Sequence, residues 1–174
     1  MNGSTGIEGS VALVTGANRG IGRAITEALL ERGARKVYAA ARDPKTLEGL
    51  TQRHGPRVVA LRLDVTNADQ VAEAAQLATD VDLLINNAGL VEPGELITEG
   101  IVDVARREME VNYFGPLRML QRFADTLARQ EGAIVNVNSA AGLANAPILP
   151  TYSASRRRCT RLPRPRARCW RLAA

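Results

Sequence analysis

The segment Thr15-Gly16-Ala17-Asn18-Arg19-Gly20-Ile21-Gly22 joins a short apolar run to a longer amphipathic stretch. The apolar run, Ser10–Thr15, is typical of a buried strand, and Ile21–Arg32 has the spacing of a helix that ends before Gly33. The three glycines of the segment let the backbone turn tightly and approach a ligand where a Cβ would obstruct it. The free N–H groups and the positive end of the following helix then attract an anion. This strand–loop–helix segment therefore predicts a site for the diphosphate of a nucleotide.

The rest of the chain repeats this alternation of short apolar runs and longer helical stretches. Four more strands are predicted, at Lys36–Ala41, Arg57–Leu63, Val81–Asn86 and Ala133–Asn138. Helices are predicted within Pro44–His54, from an N-cap at Asn67 to Ala78, and from about Thr98 to Arg129. Apolar strands separated by helices favour a parallel sheet that helices cover on both faces. We therefore predict an α/β fold of the Rossmann type, which is a doubly wound parallel sheet.

The positive charge of the chain is concentrated at its C-terminal end. Residues 151–174 contain eight of the 23 basic residues and none of the 18 acidic ones. Such a tail can bind nucleic acid electrostatically. It has no aromatic interleaving beyond Trp170 and matches no groove-reading motif, so nucleic acid is an unfavoured partner.

The remaining composition indicates a cytoplasmic protein without a metal site. The cysteines, Cys159 and Cys169, fit no zinc or redox spacing. Met1–Ser10 lacks the apolar core of an export signal, and no apolar run has the length of a membrane span. We therefore expect neither a membrane contact nor a bound metal.

The glycine spacing of the first loop, T-G-x-x-x-G-I-G, resembles the coenzyme loop of the short-chain dehydrogenase/reductase family. The resemblance extends over residues 10–155 and implies an oxidoreductase that uses NAD or NADP. In this loop it implies coenzyme contacts at Gly16, Asn18, Arg19, Gly20, Ile21 and Gly22.

The residues that follow the second strand bear on which dinucleotide is bound. An acidic residue there bonds the ribose 2′-hydroxyl of NAD, whereas an arginine accommodates the 2′-phosphate of NADP. The sequence places Arg42 there, with Asp43 next to it, and Arg19 adds a second guanidinium in the loop. Because guanidinium matches phosphate well, NADP(H) is favoured. The alternative is NAD, with Asp43 on its ribose.

Two further motifs resemble the family in the expected order. Asp64 and Val65 follow the third strand and match its adenine-ring contact. The run Asn86-Asn87-Ala88-Gly89 follows the fourth strand. The resemblance implies that this run steadies the sheet and that Asn87, Ala88 and Gly89 line the coenzyme site.

The resemblance also implies a catalytic set of Ser139, Tyr152, Asn112 and Arg156. Ser139 would donate a hydrogen bond to the substrate oxygen, where charge develops as hydride arrives. Tyr152 would deliver or accept the proton, with a neighbouring cation favouring its ionised form. The backbone carbonyl of Asn112 would hold a water molecule of a proton relay.

Arg156 departs from the family, which has lysine four residues after the tyrosine. The lysine also holds the nicotinamide ribose. Arginine keeps the positive charge, but it is bulkier and cannot release a proton to a relay. We therefore expect residues 1–155 to form the dinucleotide-binding domain, and residues 156–174 to form an aberrant or poorly ordered arginine-rich tail.

A frameshift would explain this tail. The run Arg156-Arg157-Arg158-Cys159 can be encoded AGG-CGG-CGC-TGC, and one restored A gives AAG-GCG-GCG-CTG, which encodes Lys-Ala-Ala-Leu. That continuation fits the resemblance, and a natural arginine-rich tail is the alternative. Sequencing the coding DNA distinguishes the two.

The sequence thus predicts an NADP(H)-dependent oxidoreductase that interconverts a small-molecule carbonyl and alcohol. The alternative is a truncated, catalytically impaired homologue that binds nucleotide without turnover. A third hypothesis, nucleic-acid binding by the tail, depends on charge alone. Family members pair through the helices that carry Asn112 and Tyr152, so a homo-oligomer is compatible with the sequence.

Overall fold

A computed structural model describes residues 6–144 and 147–159 of the chain. The described strands are β1 (Val11–Thr15), β2 (Lys36–Ala41), β3 (Val58–Arg62), β4 (Leu83–Asn86) and β5 (Ala133–Asn136). The α-helices are α1 (Gly20–Glu31), α2 (Glu48–His54), α3 (Ala68–Leu77), α4 (Ile101–Met109), α5 (Gly115–Arg129) and α6 (Pro150–Cys159). The part of the predicted tail after Cys159 lies outside the described residues.

The strands form one parallel sheet in the order β3-β2-β1-β4-β5. The chain runs outward from β1 to β3 and then returns to the other side of β1, where Val14 lies opposite Ile85 of β4. This reversal opens a crevice beyond the carboxyl ends of β1 and β4, which is where open α/β sheets bind ligands. The predicted Rossmann-type doubly wound sheet is confirmed.

Two apolar layers, one on each face, hold the sheet in place. Every residue of β1 is buried, as a strand covered on both faces must be. Phe123 of α5 and Val71 of α3 are buried in one layer, and Leu47 and Leu50 are buried in the other. The polar loops at the carboxyl ends of the strands are therefore carried on a rigid base.

The start of α3 is the one predicted from the sequence. The side-chain oxygen of Asn67 accepts hydrogen bonds from the amides of Asp69 and Gln70, both at 3.0 Å. These bonds satisfy two N–H groups that a helix end leaves without an intrahelical partner.

The helical region predicted from about Thr98 to Arg129 is present from Ile101 to Arg129, but it differs from one regular helix in two details. Gly100, with φ of +79°, precedes Ile101 and delays the start of α4. The segment Glu110–Phe114 then forms a π-helical turn between α4 and α5. Pro116 supplies a physical reason, because it has no N–H to donate to the carbonyl of Asn112, its fourth residue upstream. Apolar periodicity does not reveal such a turn.

A polar cluster lies at the opposite edge of the sheet from the crevice. The ammonium of Lys36 lies 2.6 Å from the carboxylate of Asp80, and the hydroxyl of the buried Tyr38 donates to Asp80 at 2.9 Å. Burial alone raises the pKa of Asp80, but the hydrogen bonds from Lys36 and Tyr38 together outweigh it, so the net pKa lies below its ordinary value. Ionised Asp80 therefore stabilises the folded chain.

Replacing Asp80 with asparagine is expected to cost about 1 kcal/mol of unfolding free energy at pH 7, because the pair is partly exposed. A carboxyl with a lowered folded pKa contributes stability above its unfolded pKa, about 3.9, and loses it as the pH falls through the folded pKa. The difference between wild type and Asp80→Asn should therefore shrink toward acid in urea unfolding between pH 8 and pH 3. The exposed Asp125→Asn is the control, and a difference that is independent of pH would contradict the role assigned to Asp80.

No helix within the described ranges combines the length and the apolar character that crossing a membrane requires.

Candidate active site

The predicted diphosphate loop connects β1 to α1 at the crevice. Gly16 and Gly20 have φ angles of +67° and +54°, which side-chain-bearing residues rarely adopt. The first turn of α1 has no acidic residue, and the side chain of Arg19 does not cap it. The N–H groups at this helix end are therefore left for an external anion. Asn18 is half-buried, whereas Ile21 is 65% exposed at the crevice.

Gly22 lies where the loop, α1 and the segment after β4 meet. A Cβ at this position would collide with the carbonyl oxygen of Gly16 and the side-chain amide of Asn87. That amide donates to the carbonyl oxygens of Thr15, at 2.9 Å, and Gly16, at 3.2 Å. Asn87 therefore fixes the shape of the loop from the neighbouring strand, and only glycine fits at position 22.

Thr15 is a site residue that our sequence analysis did not single out. Its buried hydroxyl oxygen accepts hydrogen bonds from the amides of Asn87 and Ala88, both at 3.0 Å. It ties the end of β1 to the turn after β4, a contact between residues 72 and 73 positions apart. Its position at the end of a buried strand, just before the first glycine of the loop, is the sequence feature that could have indicated this role.

The residues after β2 include the predicted contacts with the coenzyme ribose. Arg42 is exposed beyond the end of β2, and Arg19 is exposed at the start of α1. The carboxylate of Asp43 accepts a hydrogen bond from the amide of Lys45 at 3.0 Å and caps the short helical turn Pro44–Leu47. All three side chains are exposed, and one oxygen of the Asp43 carboxylate is engaged locally.

Asp64 and Val65 follow β3 in a tight turn. The carboxylate of Asp64 accepts from the amide and the hydroxyl of Thr66, at 2.9 and 2.7 Å. The side chain of Val65 is buried, and a Cβ on Gly115 would lie 2.7 Å from its Cγ2 atom. Val65 therefore packs its side chain into the core, and Asp64 stabilises the turn after β3.

Asn112 lies in the π-helical turn and is completely buried. Its side chain accepts from the amide of Leu90 at 2.9 Å and donates to the carbonyl of Leu90 at 2.8 Å. It also donates to the hydroxyl of Ser155 at 2.9 Å, and that hydroxyl donates to the carbonyl of Tyr152 at 2.8 Å. Asn112 and Ser155 therefore link the segment after β4 to the helix that carries Tyr152. Ser155 was missed in our sequence analysis, because only tertiary contacts reveal its role.

Arg156 lies inside α6 and is 7% exposed. Its Nε atom donates to the hydroxyl of Tyr152 at 3.1 Å, and Nη1 donates to the carbonyl of Val137 at 3.3 Å. Its Nη2 atom lies against Gly89, where a Cβ would collide with it. The guanidinium thus contacts both the predicted proton donor and the segment after β4. Within the described residues no acidic side chain lies within ion-pair distance of it.

Ser139 follows β5, in a segment that packs against the helix carrying Tyr152 and Arg156. It is half-buried in an extended conformation, and its hydroxyl oxygen accepts from the amide of Ala141 at 3.2 Å. Gly142, in the short turn after it, packs against the backbone of Arg156, since a Cβ there would lie 3.1 Å from the Arg156 carbonyl carbon. The structure therefore gathers the segments that carry Ser139, Tyr152, Asn112 and Arg156 at the carboxyl edge of β4 and β5.

Comparisons of sequence and of structure both find similarity to short-chain dehydrogenases. The family model for short chain dehydrogenases matches residues 10–166. A short chain dehydrogenase from Burkholderia cenocepacia J2315, solved in complex with NADP, is 48% identical, with a TM-score of 0.84 over 90% of this chain and 64% of that chain. A short chain dehydrogenase/reductase from Burkholderia phymatum, solved in complex with NAD, is 32% identical, with a TM-score of 0.81 over 88% of this chain and 57% of that chain.

Curated relatives are longer than this chain. Dehydrogenase/reductase SDR family member 7B from Mus musculus is 37% identical over 162 residues, which are 86% of this chain and 50% of the mouse protein. The 3-oxoacyl-acyl-carrier-protein reductase of Vibrio cholerae is 34% identical over 158 residues, 86% of this chain and 63% of that protein. The chain thus spans about half the length of the mouse relative. It belongs to the short-chain dehydrogenase/reductase family of oxidoreductases.

Proposed function

We propose that this chain binds NADP(H) and interconverts a small-molecule carbonyl and its alcohol. The observation that carries the proposal is the contact between the Tyr152 hydroxyl and the buried guanidinium of Arg156, next to the segment that carries Ser139. A phenol beside a permanent cation, with a second hydroxyl nearby, is suited to moving a proton to or from an oxygen atom.

The hydrogen bonds already formed set the direction of the two hydroxyl groups. The Ser139 oxygen accepts from the Ala141 amide, so its own proton is left to donate to a substrate oxygen. The Tyr152 oxygen accepts from Nε of Arg156, which cannot accept in return, so the phenolic proton points away from the guanidinium. Ser139 would stabilise the negative charge that develops on the substrate oxygen, and Tyr152 would transfer the proton.

The loop after β1 fits a dinucleotide coenzyme. The contact at Gly22 leaves no space for a Cβ, and the helix end beyond it presents N–H groups without an acidic neighbour. Gly16, Gly20 and Gly22 would admit the diphosphate, and the backbone of Val65 would face the adenine. A bound nicotinamide would donate hydride to the carbonyl carbon or accept it from the alcohol, and the protein would orient the two reactants.

The charges around the end of β2 favour NADP(H) over NAD(H). Arg42 and Arg19 supply two exposed guanidinium groups there, and the single exposed carboxylate, that of Asp43, has one oxygen engaged with the Lys45 amide. The 48% identical relative from Burkholderia cenocepacia was solved with NADP, although the one from Burkholderia phymatum was solved with NAD. The local arrangement supports a 2′-phosphate held by Arg42.

Replacing Arg42 with alanine is expected to weaken NADPH binding about tenfold, which is the cost of losing one charge-assisted bond at an exposed site. Binding of NADH should change by less than about twofold, because NADH has no 2′-phosphate for the guanidinium to contact. Quenching titrations with both coenzymes measure this. Arg122→Ala removes the same charge from an exposed position on α5 and serves as the control. Equal losses for both coenzymes would contradict a 2′-phosphate contact.

A second candidate function is nucleotide binding without turnover. Arg156 favours it, because a guanidinium cannot pass a proton onward and this one fills the space between Val137 and Gly89.

One pair of measurements separates the two functions. NADPH fluorescence or a thermal shift reports binding, and the loss of absorbance at 340 nm with a panel of carbonyl compounds reports turnover. Binding with turnover supports the oxidoreductase, and binding without turnover in either direction supports the second candidate. A folded chain that binds neither coenzyme would overturn both.

A further inference from the structure

Two side chains one helical turn apart hold the segment that follows β4. Glu108, at the end of α4, is completely buried, and its Oε1 atom accepts a hydrogen bond from the amide of Glu92 at 2.9 Å. The side chain of Asn112 accepts a hydrogen bond from the amide of Leu90 and donates one to its carbonyl. The two residues share one helix face, so they bind alternate residues of one extended segment.

The side chain of Glu92 is held from the same helix. Arg107 donates to its two carboxylate oxygens, from Nε at 3.0 Å and from Nη2 at 2.6 Å. The hydrogen bonds from Arg107 lower the pKa of Glu92. Glu92 is therefore anchored both through its backbone, by Glu108, and through its carboxylate.

The other end of the segment is Gly89, which lies against Nη2 of Arg156. Arg156 in turn contacts the Tyr152 hydroxyl. The position of Gly89 therefore limits where the guanidinium beside Tyr152 can lie. If the diphosphate binds at Gly22, the end of the coenzyme that reaches Tyr152 is the nicotinamide end, since the hydride must meet the carbonyl that Tyr152 protonates.

Burying the carboxyl group of Glu108 costs folding free energy, which a purely structural contact would not require. Its Oε2 atom is buried and has no hydrogen-bond partner among the described residues. A buried polar atom without a partner destabilises a fold. Glutamine keeps an acceptor for the Glu92 amide and has almost the same shape, so it preserves the hydrogen bond that alanine removes.

We propose that Glu108 is a positioning residue for the nicotinamide half of the coenzyme site, acting through Glu92 and the segment that ends at Gly89. The proposal rests on the proposed function. It assigns no chemistry to the carboxyl group, because Glu108 touches neither the coenzyme loop nor Tyr152 in any described contact.

The test compares two ligands that share the adenine half of the site. NADPH occupies both halves, whereas adenosine 2′,5′-bisphosphate lacks the nicotinamide. Glu108→Ala is expected to weaken NADPH binding about tenfold, the loss of one buried hydrogen bond, and to leave the bisphosphate within about twofold. Glu108→Gln should restore NADPH binding. Glu95→Ala removes an exposed carboxylate from the same stretch of chain and should change neither affinity.

Equal weakening of both ligands by Glu108→Ala would indicate a general structural role and would overturn the proposal, as would a failure of Glu108→Gln to rescue. Hydrogen exchange at the amide of Glu92 gives a readout without coenzyme, and it should accelerate in Glu108→Ala but not in Glu108→Gln. If wild type bound neither ligand, the proposed function would fail, and unchanged exchange at Glu92 would separately overturn the anchoring by Glu108.

Discussion

Gly22→Ala is expected to weaken NADPH binding about 100-fold, which corresponds to a loss of about 2.7 kcal/mol. The added Cβ cannot occupy its ideal position, because the Gly16 carbonyl and the Asn87 amide already fill that space. Neither neighbour can move freely, since Asn87 bonds the carbonyls of both Thr15 and Gly16. The loop must therefore shift as a unit, and its N–H groups are displaced from the positions in which they would bind the diphosphate.

The control for Gly22→Ala is Gly49→Ala, the same substitution within α2. A Cβ at Gly49 meets only the end of the Arg23 side chain, at 3.9 Å, and alanine favours a helix by about 1 kcal/mol over glycine. Gly49→Ala should therefore keep NADPH binding and raise the unfolding midpoint in urea. A folded Gly22→Ala protein with wild-type affinity for NADPH would show that the diphosphate is bound elsewhere.

The fold could be predicted because its signals are local. Each strand is a short apolar run, and a run such as Lys36–Ala41 matches the observed β2 to the residue. The glycine loop and the cap at Asn67 could also be predicted, since each depends on residues within one turn of the chain.

The internal arrangement of the candidate site could not be predicted, because its contacts join distant residues. The hydroxyl of Thr15 meets amides more than 70 positions away. Asn112 was predicted to act through its backbone carbonyl, and the structure adds a buried side chain that holds Leu90 and Ser155. No periodicity in the sequence encodes which polar atom a buried side chain will meet.

The contacts of Arg156, the residue at which this chain departs from its family, could not be predicted either. The sequence shows a cation at that position, but not that the longer side chain reaches past Tyr152 to Val137 and Gly89. A guanidinium has its donors fixed in one plane, so Arg156 can bond Tyr152 and Val137 at once. The frameshift hypothesis for residues 156–174 stays a prediction that the coding DNA would test.

Tyr152→Phe is expected to lower turnover about a thousandfold, the size of effect that general acid catalysis supplies. NADPH affinity should stay within about twofold, because the substitution removes one oxygen and keeps the ring against the guanidinium of Arg156. The rate of NADPH oxidation at 340 nm with a reactive carbonyl compound measures turnover, and fluorescence titration measures affinity. Equal activity in both proteins would remove Tyr152 from the mechanism.

The role of Tyr152 can also be tested in an Arg156→Lys variant, which we expect to turn over faster than wild type. Lysine keeps the cation beside the Tyr152 hydroxyl, gives up the contacts with Val137 and Gly89, and can release a proton, so turnover should rise above wild type. Tyr152→Phe added to Arg156→Lys should then abolish the gain, because the proton that the lysine releases reaches the substrate through the phenol. A double variant that kept the gain would show that the proton reaches the substrate by another route.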